Sequence, residues 1–598
     1  MAITETSGPT PVEVPAERNL TSIVWERADA GDHRQAVRYL ADGGWHGYTW
    51  VELGARIEAV AAGLMSLGIE KGDRVVLLSP TRVEWTIADF AVLAAGGVVV
   101  PLYETSSVDQ CAWVLSNSGA KAAFAATPDL AKTLDAAREQ APSLGEVFVF
   151  DDNGLDTVAD GATDADRAQV RERAASVGGQ DLFSLIYTSG TTGNPKGCKL
   201  THHNMLWTVA QSITVLQRIL REEDSTLLFL PLAHVFAREI QFMVLEENVT
   251  LGYSRGIDHL SEDLNSFRPT FLLSVPRVFE KLFNGAQRKA TGAKAKIFDF
   301  AVSAGRQWSE AVDAGKSPSL LTSLKHGISD KLVYSKLRAA MGGRVATCVS
   351  GGAPLAPHLA HFFHAAGITI LEGYGLTETT APATVNAPDA LRIGTVGKPL
   401  PGVEIRTTED GEILIRGGNV FEGYYENEEA TKEVLTDDGW LYCGDLGEID
   451  SDGFLTITGR KKEIIVTAGG KNVAPATLEE RLKSNRLISQ AMVVGDNRPF
   501  IGALITLDAD ELPAFASEQG LDGSTSDELS EHAEVRAEVD RAVAHANEAV
   551  SQPESIRSYR ILPRDLAEDY EELTPTLKLR RRNVAENFAD EIDRLYTR

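Results

Sequence analysis

The sequence predicts an α/β protein in two unequal parts. A large N-terminal domain of two doubly wound α/β subdomains and a small β-barrel-like subdomain precedes a smaller, mobile α+β C-terminal domain. Three observations carry that expectation. Short apolar runs alternate with helical patterns over most of the chain, the mark of parallel sheets wrapped by helices. Four of these runs empty into loops of small or polar residues, at 188, 231, 350 and 372. From about 392 the texture turns β-rich until Gly459-Arg-Lys-Lys462 interrupts it with glycine and charge. A chain of 598 residues also exceeds what one hydrophobic core organises.

The elements follow in order. Thr49-Trp-Val-Glu52 has the form of a capping box, and Val51, Ile57, Val60, Ala61, Leu64 and Met65 recur behind it at helical spacing. Arg74 to Ser79 is a short buried-strand run. A helix over 82–95, a strand at Val98-Val-Val100 and a helix opened by Ser107 follow, then strands at 121–126 and 146–150 with a helix between. Asp151 to Gln180 is acidic, Ala/Gly-rich and weakly periodic, which predicts a surface excursion. Leu182 to Tyr187 predicts a strand, Thr201 to Leu220 a helix, and Leu227 to Leu230 a strand running into Pro231-Leu-Ala-His234. A second α/β unit has strands at 270–275, 344–349 and 368–371, with a long polar helical region to about 341. Ligands of open α/β sheets bind beyond the carboxyl ends of strands, so the four loops are expected to share one crevice. Asp410-Gly411 and Asp452-Gly453 are turns in the β-rich part. Beyond the interruption come a strand at 463–466, a glycine loop, a helix after Pro475, strands at 490–495 and 501–507, an acidic helical stretch and a strand at 556–562. The expected division is 1–459, a connecting 460–462, and 463–598.

A net charge of −27 argues against a nucleic-acid partner, whose binding face would be basic. Any polyanionic ligand must be drawn in by local clusters such as Arg460-Lys461-Lys462 and Arg580-Arg581-Arg582. The four cysteines, Cys111, Cys198, Cys348 and Cys443, have no metal-ligand spacing and fit a reducing, cytoplasmic compartment. Met1 to Leu20 is polar and acidic, unlike a signal peptide. Trp85 to Tyr103, interrupted by Asp89, Gly96-Gly97 and Pro101, fits a helix and a strand better than a membrane span. Exposed basic and apolar residues could hold the protein at the inner face of a membrane, although no helix stands out as basic and amphipathic.

The chemistry concentrates in Leu185-Ile-Tyr-Thr-Ser-Gly-Thr-Thr-Gly-Asn-Pro-Lys-Gly197. A buried strand opens into hydroxyls and glycines, and a lysine closes the loop before Thr201 caps a helix. Glycine lets backbone N–H groups approach an anion, hydroxyls add donors and lysine adds a point charge, so the loop suits phosphate. Pro195 before Lys196 separates it from the Walker A pattern. Tyr187 to Gly197 resembles the AMP-binding signature of the adenylate-forming superfamily, which includes acyl-CoA synthetases, luciferases and peptide-synthetase adenylation domains. The resemblance extends from about 20 to 590 with the motifs in the expected order. Leu573-Thr-Pro-Thr-Leu-Lys578 resembles long-chain fatty acyl-CoA synthetases in particular, with Leu577 where many relatives have glycine.

The resemblance implies a site. Thr188, Ser189, Gly190, Thr191, Thr192, Gly193 and Lys196 would hold the ATP phosphates. Gly351, Gly352, Ala353 and Tyr374 would enclose adenine, Gly373 and Gly375 would also bind the nucleotide, and Thr377 would touch the α-phosphate. Thr188 and Glu378 would hold Mg²⁺, whose preference is for hard oxygen ligands. Asp445 and Arg460 would bind ribose or phosphate, Lys462 would be the hinge, and Lys578 the catalytic lysine. Gly469-Gly470-Lys471 resembles the loop lining the coenzyme A tunnel. His234 matches a histidine beside the carboxylate and the thiol route. Taken singly, several have plainer readings: a glycine turn at 350–354, a turn residue at Asp445, a half-buried strand-end histidine, a solvated lysine in a basic tail.

The implied reaction activates a long-chain fatty acid with ATP and transfers it to coenzyme A, with an acyl-adenylate between. Val235, Phe236, Phe242, Phe271, Leu273 and Val275 are candidates for an acyl tunnel, each with a core reading beside it. Competing readings are a fatty acyl-AMP ligase serving a carrier protein, whose insertion after the hinge is not seen in Glu463-Ile-Ile-Val-Thr467, and a non-catalytic nucleotide-binding protein. Luciferase-like oxygenation is open to a light-emission test.

Overall fold

The computed structural model describes residues 4–188, 194–521, 526–574 and 578–597. Ser189, Gly190, Thr191, Thr192 and Gly193 of the phosphate-loop expectation therefore lie outside the described residues.

The first subdomain is a six-stranded sheet with spatial order Val147–Val149, Ala122–Ala125, Arg74–Leu78, Val98–Leu102, Leu182–Thr188 and Lys196–Thr201. Its first five strands are parallel, and the last turns back antiparallel on Leu182–Thr188. The helices start where their caps dictate. Thr49 with Glu52, Ser107 with Gln110, and Thr201 with Asn204 each form a reciprocal capping box.

In the second subdomain, Phe271–Ser274, Thr347–Ser350 and Thr369–Leu376 run parallel, followed by antiparallel Ala381–Val385 and Lys398–Pro399. A four-stranded sheet of Ser225–Leu228, Thr250–Tyr253, Gln35–Ala41 and Gly44–Thr49 abuts it, the Thr270 N–H donating to Ser225 O at 2.9 Å. The β-rich part is an antiparallel five-stranded sheet whose edge strand, Glu5–Ser7, comes from the N-terminus and pairs with Glu404–Thr407. The C-terminal region packs helices on a sheet of Ile488–Val494, Ile501–Leu507 and Ile556–Ile561. The clusters of buried apolar residues fall on either side of the charged interruption: those before it reach Leu455, and those after it start at Ile465.

Three expectations are corrected. Asp151 to Gln180 is not a bare surface excursion: Gly154–Asp160 and Asp164–Ala175 are helices that bury Leu155, Val158, Val170 and Ala174. Gly63 of the Trp50–Ser66 helix permits this contact, since a Cβ there would stand 1.9 Å from Val158 O. Each helix has only a short apolar stripe, hence the weak periodicity. Secondly, Lys196 does not close a strand-to-helix loop but begins a strand facing Thr188. Thirdly, the expected long polar helical region to about 341 carries an exposed apolar face. Leu320, Leu321, Leu324, Ile328 and Leu332 follow one face of the Leu320–Ser329 helix and its continuation, all exposed, Leu320 at 92%. Ten Lys and Arg side chains lie between 288 and 338 against four acidic ones. It escaped sequence analysis because leucines at helical spacing suit a core equally well. No helix among the described residues is long and apolar enough to cross a membrane.

Candidate active site

The strand-end loops meet around one cavity of about 1430 Å³. Thr188 and Lys196 enter it from adjacent strands. Gly351 and Gly352, just beyond Thr347–Ser350, form a side-chain-poor shelf, and Gly352 has φ +82°, which glycine adopts without strain. Gly373, Tyr374, Gly375, Thr377 and Glu378 continue the wall from the next strand. Ala353, expected with them, is exposed and off the cavity wall.

Asp445 and Arg460 are register partners on neighbouring strands of the β-rich sheet. Arg460 Nε lies 2.9 Å from Asp445 Oδ1, and Tyr374 Oη donates to Asp445 Oδ2 at 2.7 Å. The carboxylate, only 4% exposed, is thereby held rigid while retaining acceptor capacity for a ligand diol. Glu378 Oε1 accepts from Tyr424 Oη at 2.8 Å, and the Lys196 ammonium lies 5.0 Å from the centroid of the same ring. Tyr424 thus connects two expected site residues, and sequence reasoning missed it. Its only signal is a tyrosine after Gly423, in a loop far from every motif.

Lys578 lines the same cavity, its N–H donating to Thr574 Oγ1 at 3.0 Å. Its side chain reaches solvent through the open cleft, yet protein surrounds much of it. This desolvation lowers its pKa, Arg460 lowers it further, and Asp445 and Glu378 oppose both. His234 is the N-cap of the Val235–Glu246 helix, and its Nδ1 accepts from the Phe236 N–H at 3.2 Å. Burial, then Lys578, pushes it down to about 3. The ring is neutral at neutral pH, and with Nδ1 accepting, its proton sits on Nε2.

Lys462 is exposed and lines the cavity. Gly469, Gly470 and Lys471 do not: they lie on an exposed loop whose Lys471 pairs with Glu554 at 3.1 Å. For magnesium, Thr188 and Glu378 both line the cavity and offer hard oxygen donors. Among the described residues no cluster of three His, Cys, Asp or Glu could hold a metal ion. An ion resting on these two would take its other ligands from phosphate oxygens and water, as magnesium does with nucleotides.

Away from the charged end, the cavity runs between the helices His202–Leu216 and Val235–Glu246. Leu216, Val235, Phe236, Met243 and Leu273 line this arm. Of the acyl-tunnel candidates, Val235, Phe236 and Leu273 belong to it. Phe242 and Phe271 are instead core residues, and Val275 is off the wall. Phe242, one step further round the same helix, packs edge-on to Phe90 instead.

Two family models described as AMP-binding enzyme and AMP-binding enzyme C-terminal domain match residues 24–425 and 462–598. The chain is 48% identical to the long-chain-fatty-acid–CoA ligase FadD15 of Mycobacterium bovis, over 99% of this chain and 100% of the relative. It is 31% identical to the long-chain-fatty-acid–CoA ligase ACSBG2 of Xenopus laevis, over 92% of this chain and 80% of the relative. Among solved structures, it resembles the anthranilate CoA ligase AuaEII in complex with anthranoyl-AMP, with TM-score 0.73 and 19% identity over 96% of this chain and 98% of that one. A Mycobacterium tuberculosis fatty acyl CoA synthetase gives TM-score 0.62 and 23% identity over 96% and 100%. At such identities these structures speak for the fold. The full-length matches settle the grouping: the chain belongs to the AMP-binding enzyme family.

Proposed function

We propose that this chain is a long-chain-fatty-acid–CoA ligase that forms an acyl-adenylate from a fatty acid and ATP and passes the acyl group to coenzyme A. One observation carries the reading: a single cavity joins a polar end, bearing Lys578, Arg460, Asp445 and Glu378, to a mostly apolar arm between two helices. Relatives similar over 99% and 92% of the chain are named long-chain-fatty-acid–CoA ligases.

In the first half-reaction a carboxylate oxygen attacks the α-phosphorus and pyrophosphate leaves. A carboxylate is already deprotonated, so the site needs position and charge rather than a base. Lys578 and Arg460 supply positive charge where negative charge gathers, Asp445 holds the ribose, and the neutral His234 donates from Nε2 to the carboxylate. Magnesium carried with ATP would neutralise phosphate charge beside Thr188 and Glu378. In the second half-reaction the coenzyme A thiolate attacks the acyl carbonyl and AMP departs. Gly469, Gly470 and Lys471 serve that step after the C-terminal region rotates about Lys462.

The test is a split of the two steps. Lys578→Ala abolishes ATP–pyrophosphate exchange and spares thioester formation from supplied acyl-adenylate, whereas Lys462→Pro impairs the second step selectively. Equal loss of both steps in Lys578→Ala would refute the division. With saturated acids, CoA-dependent AMP release peaks between dodecanoate and octadecanoate; a maximum at acetate or an aryl acid sinks the long-chain assignment. Failure to make a thioester with free coenzyme A would favour transfer to a carrier protein.

The exposed leucines at 320–332 and the lysines around them suit an anionic lipid surface, where the apolar face inserts and the cations meet headgroups. Vesicles containing phosphatidylglycerol should co-sediment with the protein, and Leu320→Ser/Leu324→Ser should release it. Equal sedimentation of variant and wild type would remove this surface from the proposal.

A further inference from the structure

The apolar arm is interrupted by two polar side chains that the reaction above does not use. Ser212 projects from the His202–Leu216 helix and Glu239 from the Val235–Glu246 helix; both line the cavity, and both are 2% exposed. Ser212 Oγ and Glu239 Oε1 have no hydrogen-bond partner among the described residues. Ser212 faces the carboxyl closely enough to hold its pKa down against burial, but the contact falls short of hydrogen-bond geometry. Buried polar groups in native proteins are almost always satisfied, and an exception facing a cavity asks what satisfies it.

The chemistry narrows the occupant. Burial pushes the Glu239 carboxyl up to about 7, so near neutral pH it can both donate and accept, as can the serine hydroxyl. A methylene would leave the hydrogen-bonding capacity that both groups turn toward the cavity unfilled. A second carboxylate would meet a group that ionises in the same pH range. A hydroxyl matches both partners at once. Its place along the chain also follows: Glu239 lies five residues into the helix capped by His234, about 7.5 Å of rise from the reacting end, and Met243 lines the arm a further turn on.

We infer that Glu239 and Ser212 form a polar station that binds a hydroxyl carried partway along the substrate's hydrocarbon chain, making hydroxy fatty acids preferred substrates. The inference rests on the proposed acyl activation and adds the substrate class of that same arm.

The experiment measures kcat/KM for CoA-dependent AMP release by the full-length protein. The substrates are octadecanoate and a series of hydroxyoctadecanoates whose hydroxyl moves along the chain. The expected profile has a maximum at one internal position, about tenfold above octadecanoate, the worth of a buried hydrogen bond. Glu239→Leu and Ser212→Ala flatten it, and Glu239→Gln, which keeps a donor and an acceptor, retains most of it. A flat wild-type profile, meaning that water alone occupies the station, overturns the inference without any variant. So does a maximum that survives both Glu239→Leu and Ser212→Ala. If octadecanoate itself is not activated, the proposed reaction fails; if it is activated and the profile is flat, only the polar station fails.

Discussion

Arg238 of the Val235–Glu246 helix and Asp89 form an ion pair with both side chains 0% exposed. Arg238 Nη1 also donates to Ser184 Oγ at 2.7 Å, and Gln241 Nε2 donates to Asp89 Oδ2 at 3.0 Å. The guanidinium sits 4.7 Å from the Phe183 ring centroid and 5.4 Å from that of Trp85. Burial works against both charges, raising the pKa of Asp89 and lowering that of Arg238, while each charge supports the other. The intact pair therefore contributes little net stability, but breaking it strands a charge. Asp89→Ala leaves the guanidinium with one hydroxyl and three aromatic rings, a loss of about 3–5 kcal/mol. Set against a domain stability of about 5–15 kcal/mol, this is severe. Arg238→Met/Asp89→Ala removes both charges and should recover a large part of the loss. Urea unfolding followed by tryptophan fluorescence measures this directly, because Trp85 lies on the guanidinium. Neither side chain lines the cavity, so turnover well below the melting temperature should change far less than stability. A loss under about 1 kcal/mol for Asp89→Ala, or a double variant no more stable than the single, would refute the reasoning.

Three further outcomes follow from the same geometry. Glu372 is buried, accepts from the Leu355 N–H at 3.2 Å, and is pushed by burial up to about 8. The folded state thus keeps a proton that the unfolded chain releases above the ordinary carboxylate range, and this stability is lost as pH rises through about 8. Glu372→Gln should gain melting temperature relative to wild type as pH goes from about 5 to about 9, and a difference independent of pH would contradict it. Gly375→Ala would put a Cβ 1.8 Å from Ala381 O in the paired strands beside Tyr374; thermal melts should show a loss of about 1–3 kcal/mol. Asp445→Asn weakens the contacts to Arg460 and Tyr374 and the acceptor for ribose, and should raise the Kd for AMP by about 10- to 100-fold in calorimetry. An unchanged Kd would remove Asp445 from the nucleotide site.

Much of the site was legible in the residues, because a loop's chemistry is local. Hydroxyls, glycines and a lysine after a buried strand announce a phosphate site wherever the strand ends. The Gly351-Gly352 shelf likewise reveals itself as a strand-end loop, whereas Gly373 to Leu376, expected as a loop after a strand at 368–371, continues that strand and pairs with Ala381–Val385. The misses share one cause. Tyr424, Ser212 and Glu239 carry no motif, and their meaning comes from what faces them across the cavity. Ala353 is adjacent in sequence to the shelf and absent from the wall, since one residue beyond Gly352 the backbone has already turned away.

By itself, then, the sequence determined where helices begin, through capping boxes at Thr49, Ser107 and Thr201. It determined which loops could hold a nucleotide, and that a charged interruption near Arg460 separates two textures. These depend on hydrogen bonds and side chains within a few residues of one another. Only the tertiary structure decided that Gln35–Ala41 joins Thr250–Tyr253 in parallel, that Glu5–Ser7 edges a sheet some four hundred positions away, and that Lys578 stands beside Arg460 and Asp445. Such partners are chosen by burial and hydrogen-bond satisfaction over the whole chain, and no local pattern records that choice. The same selection leaves Glu239 and Ser212 facing the apolar arm with hydrogen-bonding capacity still to fill.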